Sequence, residues 1–468
     1  MGGGLALSPW HGHGLHDGKV CLTTSFKGLG MFDTSPAPST LTSTAVADPA
    51  AAPVDGGGRR RVALRLLVML GPGLMVMLAD TDAGSVITAA QSGARYGYQL
   101  VAAQLVLIPI LYLVQETTAR LGLVTGQGHG ALIRATFGRG WALLSAGTLF
   151  VACIGALITE FAGIAGVGEL VGLPRLATLG LAAGAITTLL LAGRYRRIEL
   201  VGVAIGALEL LFIPAAIMAH PDTSAVLAGL AHPISADRAY MTLLAANVGA
   251  VIMPWMVFYQ QEAVIDKGRR GLSLRQALRS ARLDTAVGSV ITQAVMIAVL
   301  VATAATIGAS HPGADLNSIG AIADGLGVFL GHTQAVTLFG LGMVGAAVVA
   351  VLVVALAGAW GMAEVLGWRH SLNDSPRRAR GFYALAVGAT LAGAVLVVLV
   401  PDLVNLSVDI EVMNAALLPI VLGFLLALER RALPADLRMR GLWRVATYTV
   451  VAALIGLGLF TAVQALAS

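Results

Sequence analysis

Residues 71–93 read GPGLMVMLADTDAGSVITAAQSG. Apolar sequence enters this stretch and apolar sequence leaves it. Its middle nevertheless holds two carboxylates, Asp80 and Asp82, beside Thr81, Gly84 and Ser85. An acid near the centre of a bilayer costs about 2.5–3.5 kcal/mol on insertion scales. A spanning segment that carries such residues together with glycine is expected to unwind there and line a cavity, because irregular backbone at membrane depth survives only where protein or water satisfies it. Unwinding exposes main-chain carbonyls and two half-helix ends, which suit ion or substrate binding at mid-membrane.

The composition agrees with a chain that lives in lipid. Of 468 residues, 57% are hydrophobic and only 12% are charged, about half the charged fraction of a soluble domain. This excludes a soluble enzyme, a disordered protein, a disulfide-rich secreted module and a nucleic-acid binder, and leaves an all-α polytopic membrane protein. The formal charge of +5 is read as an orientation signal in the loops, not as a polyanion partner. Cys21 and Cys153 form no disulfide framework or zinc site. No ATP-binding motif, catalytic triad or activated nucleophile is present, so neither an enzyme nor a cofactor is expected.

Residues 1–58 are rich in Gly, Ser, Thr, Pro and Ala without a sustained apolar period; they read as a disordered cytoplasmic tail. No apolar core of signal-peptide length follows a basic start. The transmembrane transporter domain is 59–468. Within it eleven apolar stretches approach or exceed the length needed to cross a bilayer: 64–92, 98–118, 141–169, 176–193, 198–219, 241–263, 284–307, 333–363, 380–400, 404–428 and 442–465. We call these spans one to eleven. Placing the tail in the cytoplasm puts 27 of the 30 Lys and Arg on the inner side and leaves Arg95, Arg175 and Arg238 outside. That bias predicts an inner amino terminus and an outer carboxyl terminus in the cell membrane.

Span six reads AANVGAVIMPWMVFYQQEAV over 245–264. Pro254 removes a backbone donor and frees the carbonyl near Ala250; Gly249 loosens the same turn, and Met253 offers a soft thioether. Spans one and six, both interrupted, lie five spans apart. That predicts two inverted five-helix repeats around a midplane site, with span eleven peripheral. Further acids fall at membrane depth: Glu160 in span three, Glu209 in span five, Asp284 at the start of span seven, and Asp409 and Glu411 in span ten. Buried acids of this kind often relay protons. Asp409 and Glu411 fit equally at the outer mouth of their helix, and Asp284, following a basic loop, fits an ion pair. His129, His232, His311 and His332 form no metal-ligand spacing and read as surface residues.

GPGLMVMLADTDAGSVITAAQSGARYGYQL (71–100) with ARLGLVTGQGHG (119–130) resembles the first two helices of the NRAMP divalent-metal transporters. NVGAVIMPWMVFYQQEAVIDKG (247–268) resembles their sixth helix and ARLDTAVG (281–288) the start of their seventh. The resemblance covers roughly 64–466. It implies a LeuT-type fold of eleven helices and transport of divalent transition metals coupled to protons.

The family takes its metal site from an Asp-Pro-Gly-Asn motif in helix one and a Met-Pro-His motif in helix six. Here these stand as Asp82-Ala83-Gly84-Ser85 and Met253-Pro254-Trp255. The resemblance implies Asp82 and Met253 as ligands, completed by the carbonyls of Ala79 and Ala250, with Ser85 as a weaker donor. Gly84, Gly249 and Pro254 would mark the helix breaks. Ala83 and Trp255 depart from the motifs. In helix three, TEFAGIAG puts Glu160 at the family's first acidic place and Gly163 at its second. Met253 favours Mn²⁺ or Fe²⁺, which accept a softer ligand. The added acids Asp80, Asp409 and Glu411 suit Mg²⁺ carried hydrated and without proton coupling, the alternative reading. An organic or anionic solute is a further alternative, which Asp82 opposes. Lipid, the metal and protons are the expected partners; oligomeric state is open.

Overall fold

The computed structural model describes residues 72–192, 195–235, 237–269, 271–316, 318–399 and 402–467. The tail 1–58, with its expected disorder, and the first residues of span one lie outside them. Among the described residues every regular element is helical, and ten helices are long and apolar enough to cross a membrane. They correspond to spans two to eleven. Span one is present as two shorter helices, Pro72–Asp80 and Ala83–Tyr96. The count of eleven rests on taking these two pieces as one crossing.

Spans three and eight form helices of 32 residues (Arg139–Leu170) and 35 residues (His332–Leu366). At 1.5 Å per residue both are about 50 Å long, well beyond the ~30 Å hydrocarbon core, so they tilt or protrude. Span eight is apolar on every side, and Val349 to Ala357 are completely buried. A helix with no polar face belongs in the interior. It packs along span three, which makes this pair the centre of the bundle.

The packing follows the expected repeat. Span six meets span one, span seven meets span two, span eight meets span three and span nine meets span four. Spans four and eleven keep only 28% of their most apolar windows buried, so both are peripheral, against 83% for span six.

Three short helices escaped a reading built on crossing-length runs: His129–Phe137, Thr223–Leu230 and Ile319–Leu330. The last two start at caps, where Asp222 accepts from Ser224 N at 2.8 Å and Ser318 from Ala321 N at 3.0 Å. His129, read as a surface residue, is fully buried against Phe258, and its Nδ1 meets Gln261 Oε1 at 2.9 Å. Burial pushes its imidazole down to about 4, with the Gln261 contact opposing.

Candidate metal centre

The break in span one falls at Thr81 and Asp82. Asp82 is extended (φ −71°, ψ 174°) and caps the second half-helix, its Oδ1 accepting from Ser85 N at 2.7 Å. Glu160 from span three accepts from Ala83 N at 3.0 Å. The first half-helix is capped from span seven, where Asp284 accepts from Gly73 N at 2.9 Å and Leu74 N at 3.2 Å. Asp284, expected in an ion pair, also serves as a cap. A helix start carries unsatisfied N–H groups and partial positive charge. Carboxylates satisfy both starts, while the carbonyls at the end of the first half-helix are left facing the break.

Span six breaks at Ile252 and Met253 between Arg238–Val251 and Pro254–Lys267. Pro254 opens the second half at the first helical position, where its missing N–H costs nothing. Gly84 and Gly249, expected as breaks, lie inside helices. Their role is close approach: a Cβ on Gly84 would strike the Glu411 carboxylate, and one on Gly249 the Glu411 carbonyl. Both glycines let span ten come against the two broken spans.

The two breaks are tied together. Ser85 Oγ donates to the Ala250 carbonyl at 2.9 Å. Trp255 Nε1 donates to Met253 Sδ at 2.9 Å, and both side chains are fully buried. The departures at Ala83 and Gly163 are in mutual contact, since a Cβ on Gly163 would lie 2.5 Å from that of Ala83. No side chain fits at 163 while span one stands where it does.

Around the breaks stand five buried acids: Asp80, Asp82, Glu160, Glu209 and Glu411. Asp80 interacts with Asp82 and Glu411, Glu209 with Asp80 and Asp82, and Glu160 with Asp82 and Glu411. Both oxygens of Asp80 and of Glu209, Oδ2 of Asp82 and Oε1 of Glu411 have no hydrogen-bond partner. Glu411 holds Asn414 Nδ2 at 3.0 Å through its other oxygen. Among the described residues the buried basic side chains are Arg120 and His129. Arg120 pairs with Glu116 and Glu429, and His129 is held by Gln261. Neither serves these acids. Buried carboxylates without a basic partner need protons or metal cations.

Asp409 does not belong to this group; it is exposed. Two positions along a helix turn about 200°, so Asp409 and Glu411 face opposite ways, and the inward one is Glu411. Glu209 is the acid whose membership sequence reasoning missed. Its signal was present, an acid alone within an apolar crossing. The available donors are carboxylate oxygens, the thioether of Met253, the Ser85 hydroxyl, and the carbonyls of Ala79 and Ala250 at the ends of two half-helices. All suit a cation and none an anion.

The family profile Nramp, described as natural resistance-associated macrophage protein-like, matches residues 73–464. The chain is 33% identical over 210 residues to the "Divalent metal cation transporter MntH" of Verminephrobacter eiseniae, covering 43% of this chain and 47% of that protein. To the protein of the same name from Acidiphilium cryptum it is 27% identical over 419 residues, covering 85% and 90%. The match thus spans less than half the length of the first relative and most of the second. The chain is also similar in structure to the Eremococcus coleocola manganese transporter, with a TM-score of 0.68, 20% identity and 90% of each chain covered.

Proposed function

The chain belongs to the Nramp family, and from that premise we propose that it is a secondary transporter of divalent metal cations, Mn²⁺ or Fe²⁺ first, in the cell membrane. The single observation that carries this is the group of five buried acids at two helix breaks, with no buried basic side chain serving them among the described residues. Such a site attracts a divalent ion and repels an anionic solute. The relatives' printed name, a divalent metal cation transporter, supports the same reading.

The proposed ligands are Asp82 through its Oδ2, Met253 through its sulfur, the carbonyls of Ala79 and Ala250, and Ser85. Asp80 sits at the end of the first half-helix, where the helix dipole is negative and strengthens the pull on a cation. Glu209 and Glu411 add charge within reach of a hydrated ion. Glu160 is the proposed proton carrier, because it touches both the metal ligand Asp82 and the cap of Ala83. Protonation there removes charge beside the ion, which couples proton and metal occupancy.

One contact favours Mg²⁺ as a second reading. The Trp255 indole occupies the Met253 sulfur, which weakens the one soft donor and leaves an oxygen-rich site. The 27-to-3 basic bias supports an inner amino terminus and an outer carboxyl terminus. The deciding experiment is uptake of Mn²⁺, Fe²⁺, Mg²⁺ and Ca²⁺ into proteoliposomes of the purified full chain. Saturable Mn²⁺ or Fe²⁺ uptake is expected. No uptake of any of the four would reject the transport reading.

A further inference from the structure

A second cluster of metal-ligand type lies away from the helix breaks. Glu262, Glu364 and His370 each bring one ligand atom to within 4.8 Å of the others. Glu262 is on the second half of span six, nine residues past Met253, so about 13 Å along the helix from the central site. Glu364 closes span eight, and His370 follows in the arginine-rich loop. Both carboxylates are 4% exposed, while His370 is partly exposed and gives the cluster an opening to water.

The hydrogen bonds leave part of this cluster unmet. Glu262 Oε1 meets His370 Nε2 at 3.3 Å. Glu364 Oε2 accepts from Ala131 N at 2.9 Å. Glu262 Oε2 and Glu364 Oε1 receive no hydrogen bond from any other group, and the two carboxylates face each other. Those two oxygens face the same place, since a Cβ on Gly128 would strike both. His370 Nδ1 is set by the Trp368 carbonyl at 2.8 Å, leaving Nε2 toward the acids. A carbonyl that takes the other ring nitrogen is the usual way a ligating histidine is oriented.

We infer that Glu262, Glu364 and His370 form a second binding site for a divalent transition-metal cation. Two carboxylates and one imidazole suit Mn²⁺, Fe²⁺ or Zn²⁺ better than Mg²⁺, which prefers oxygen alone. Metal–oxygen and metal–nitrogen bonds of about 2.0–2.2 Å require the ligand atoms to sit within about 4.4 Å of one another, so small side-chain shifts complete the site. An ion held there clamps the second half of span six to the end of span eight.

The test is Mn²⁺ binding to the purified full chain, read by equilibrium dialysis and by the electron-spin signal of free Mn²⁺. Asp82→Ala removes the central carboxylate and is expected to leave one Mn²⁺ bound per chain. Adding Glu364→Gln or His370→Ala should weaken that remaining binding by at least about tenfold, which even a disturbed partner of a metal ligand produces. His370 lies in a partly exposed loop, so its variant is the safer for folding. Overturning results are Asp82→Ala protein that binds no Mn²⁺, or unchanged binding after both added substitutions; either makes the cluster a histidine–carboxylate ion pair only. Uptake by the unsubstituted chain is a separate readout, so failure of transport and failure of this site are distinguishable.

Discussion

Trp255 donates its indole N–H to the sulfur of Met253 across 2.9 Å, two residues away, at the break of span six. A tryptophan in the family's histidine place therefore acts on the proposed metal ligand beside it. The hydrogen bond draws electron density from the thioether and occupies one of its lone pairs. A net hydrogen bond of about 1 kcal/mol corresponds to about fivefold in affinity. Trp255→Phe is expected to raise the Mn²⁺-to-Mg²⁺ uptake ratio by about that factor. An unchanged ratio would show that the sulfur does not contact the ion.

Asp82→Ala is expected to abolish uptake of every divalent ion, since a carboxylate supplies charge to all of them. Met253→Ala should lower the Mn²⁺-to-Mg²⁺ ratio while Mg²⁺ uptake persists, because a thioether rewards only softer ions. Competition uptake with both ions in one vesicle preparation reads the two effects. Equal losses for both ions in Met253→Ala contradict the ligand role.

Glu160→Gln keeps an oxygen that can accept from Ala83 N–H and so preserves the cap. It removes the proton. Metal binding is expected to survive, and the acidification that accompanies Mn²⁺ uptake should vanish, followed with a pH dye inside the vesicles. Metal entry without proton flux in the unsubstituted chain would falsify coupling and favour a uniport.

Asp284→Ala strips two backbone N–H groups at the start of span one of their acceptor. Loss of a side-chain cap costs about 0.5–2 kcal/mol, and this one is buried, so the upper end is expected. A lowered melting midpoint in detergent is the readout, with Mn²⁺ affinity changing less than in Asp82→Ala.

His129 carries a pH signature outside the spans. Burial holds its folded value at about 4, below the ordinary 6.5. Below pH 6.5 the unfolded chain gains a proton that the folded chain refuses, so stability falls as pH drops from about 6.5 to about 4. The whole window is worth about 3 kcal/mol. His129→Gln should flatten the melting midpoint over that range. A parallel slope in both proteins would assign the effect to other groups.

The sequence by itself determined the membrane class, the positions of spans two to eleven, and the interruptions near Asp82 and Pro254. These are local matters: crossing lengths of apolar residues, and proline or acids where a continuous helix cannot afford them. Through the resemblance of its motifs to the family's, it also singled out Asp82, Met253, Ser85 and Glu160 as candidates. Tertiary structure decided what those residues do to one another. Gly84 and Gly249 read as helix breakers, yet they are clearances for span ten, a fact that depends on where Glu411 lies. Asp409 and Glu411 were equivalent on paper until the helix turned one outward. Glu209, and the trio of Glu262, Glu364 and His370, come together only through packing between helices far apart in the chain. Their chemistry depends on distance in space, and a one-dimensional pattern records none of it.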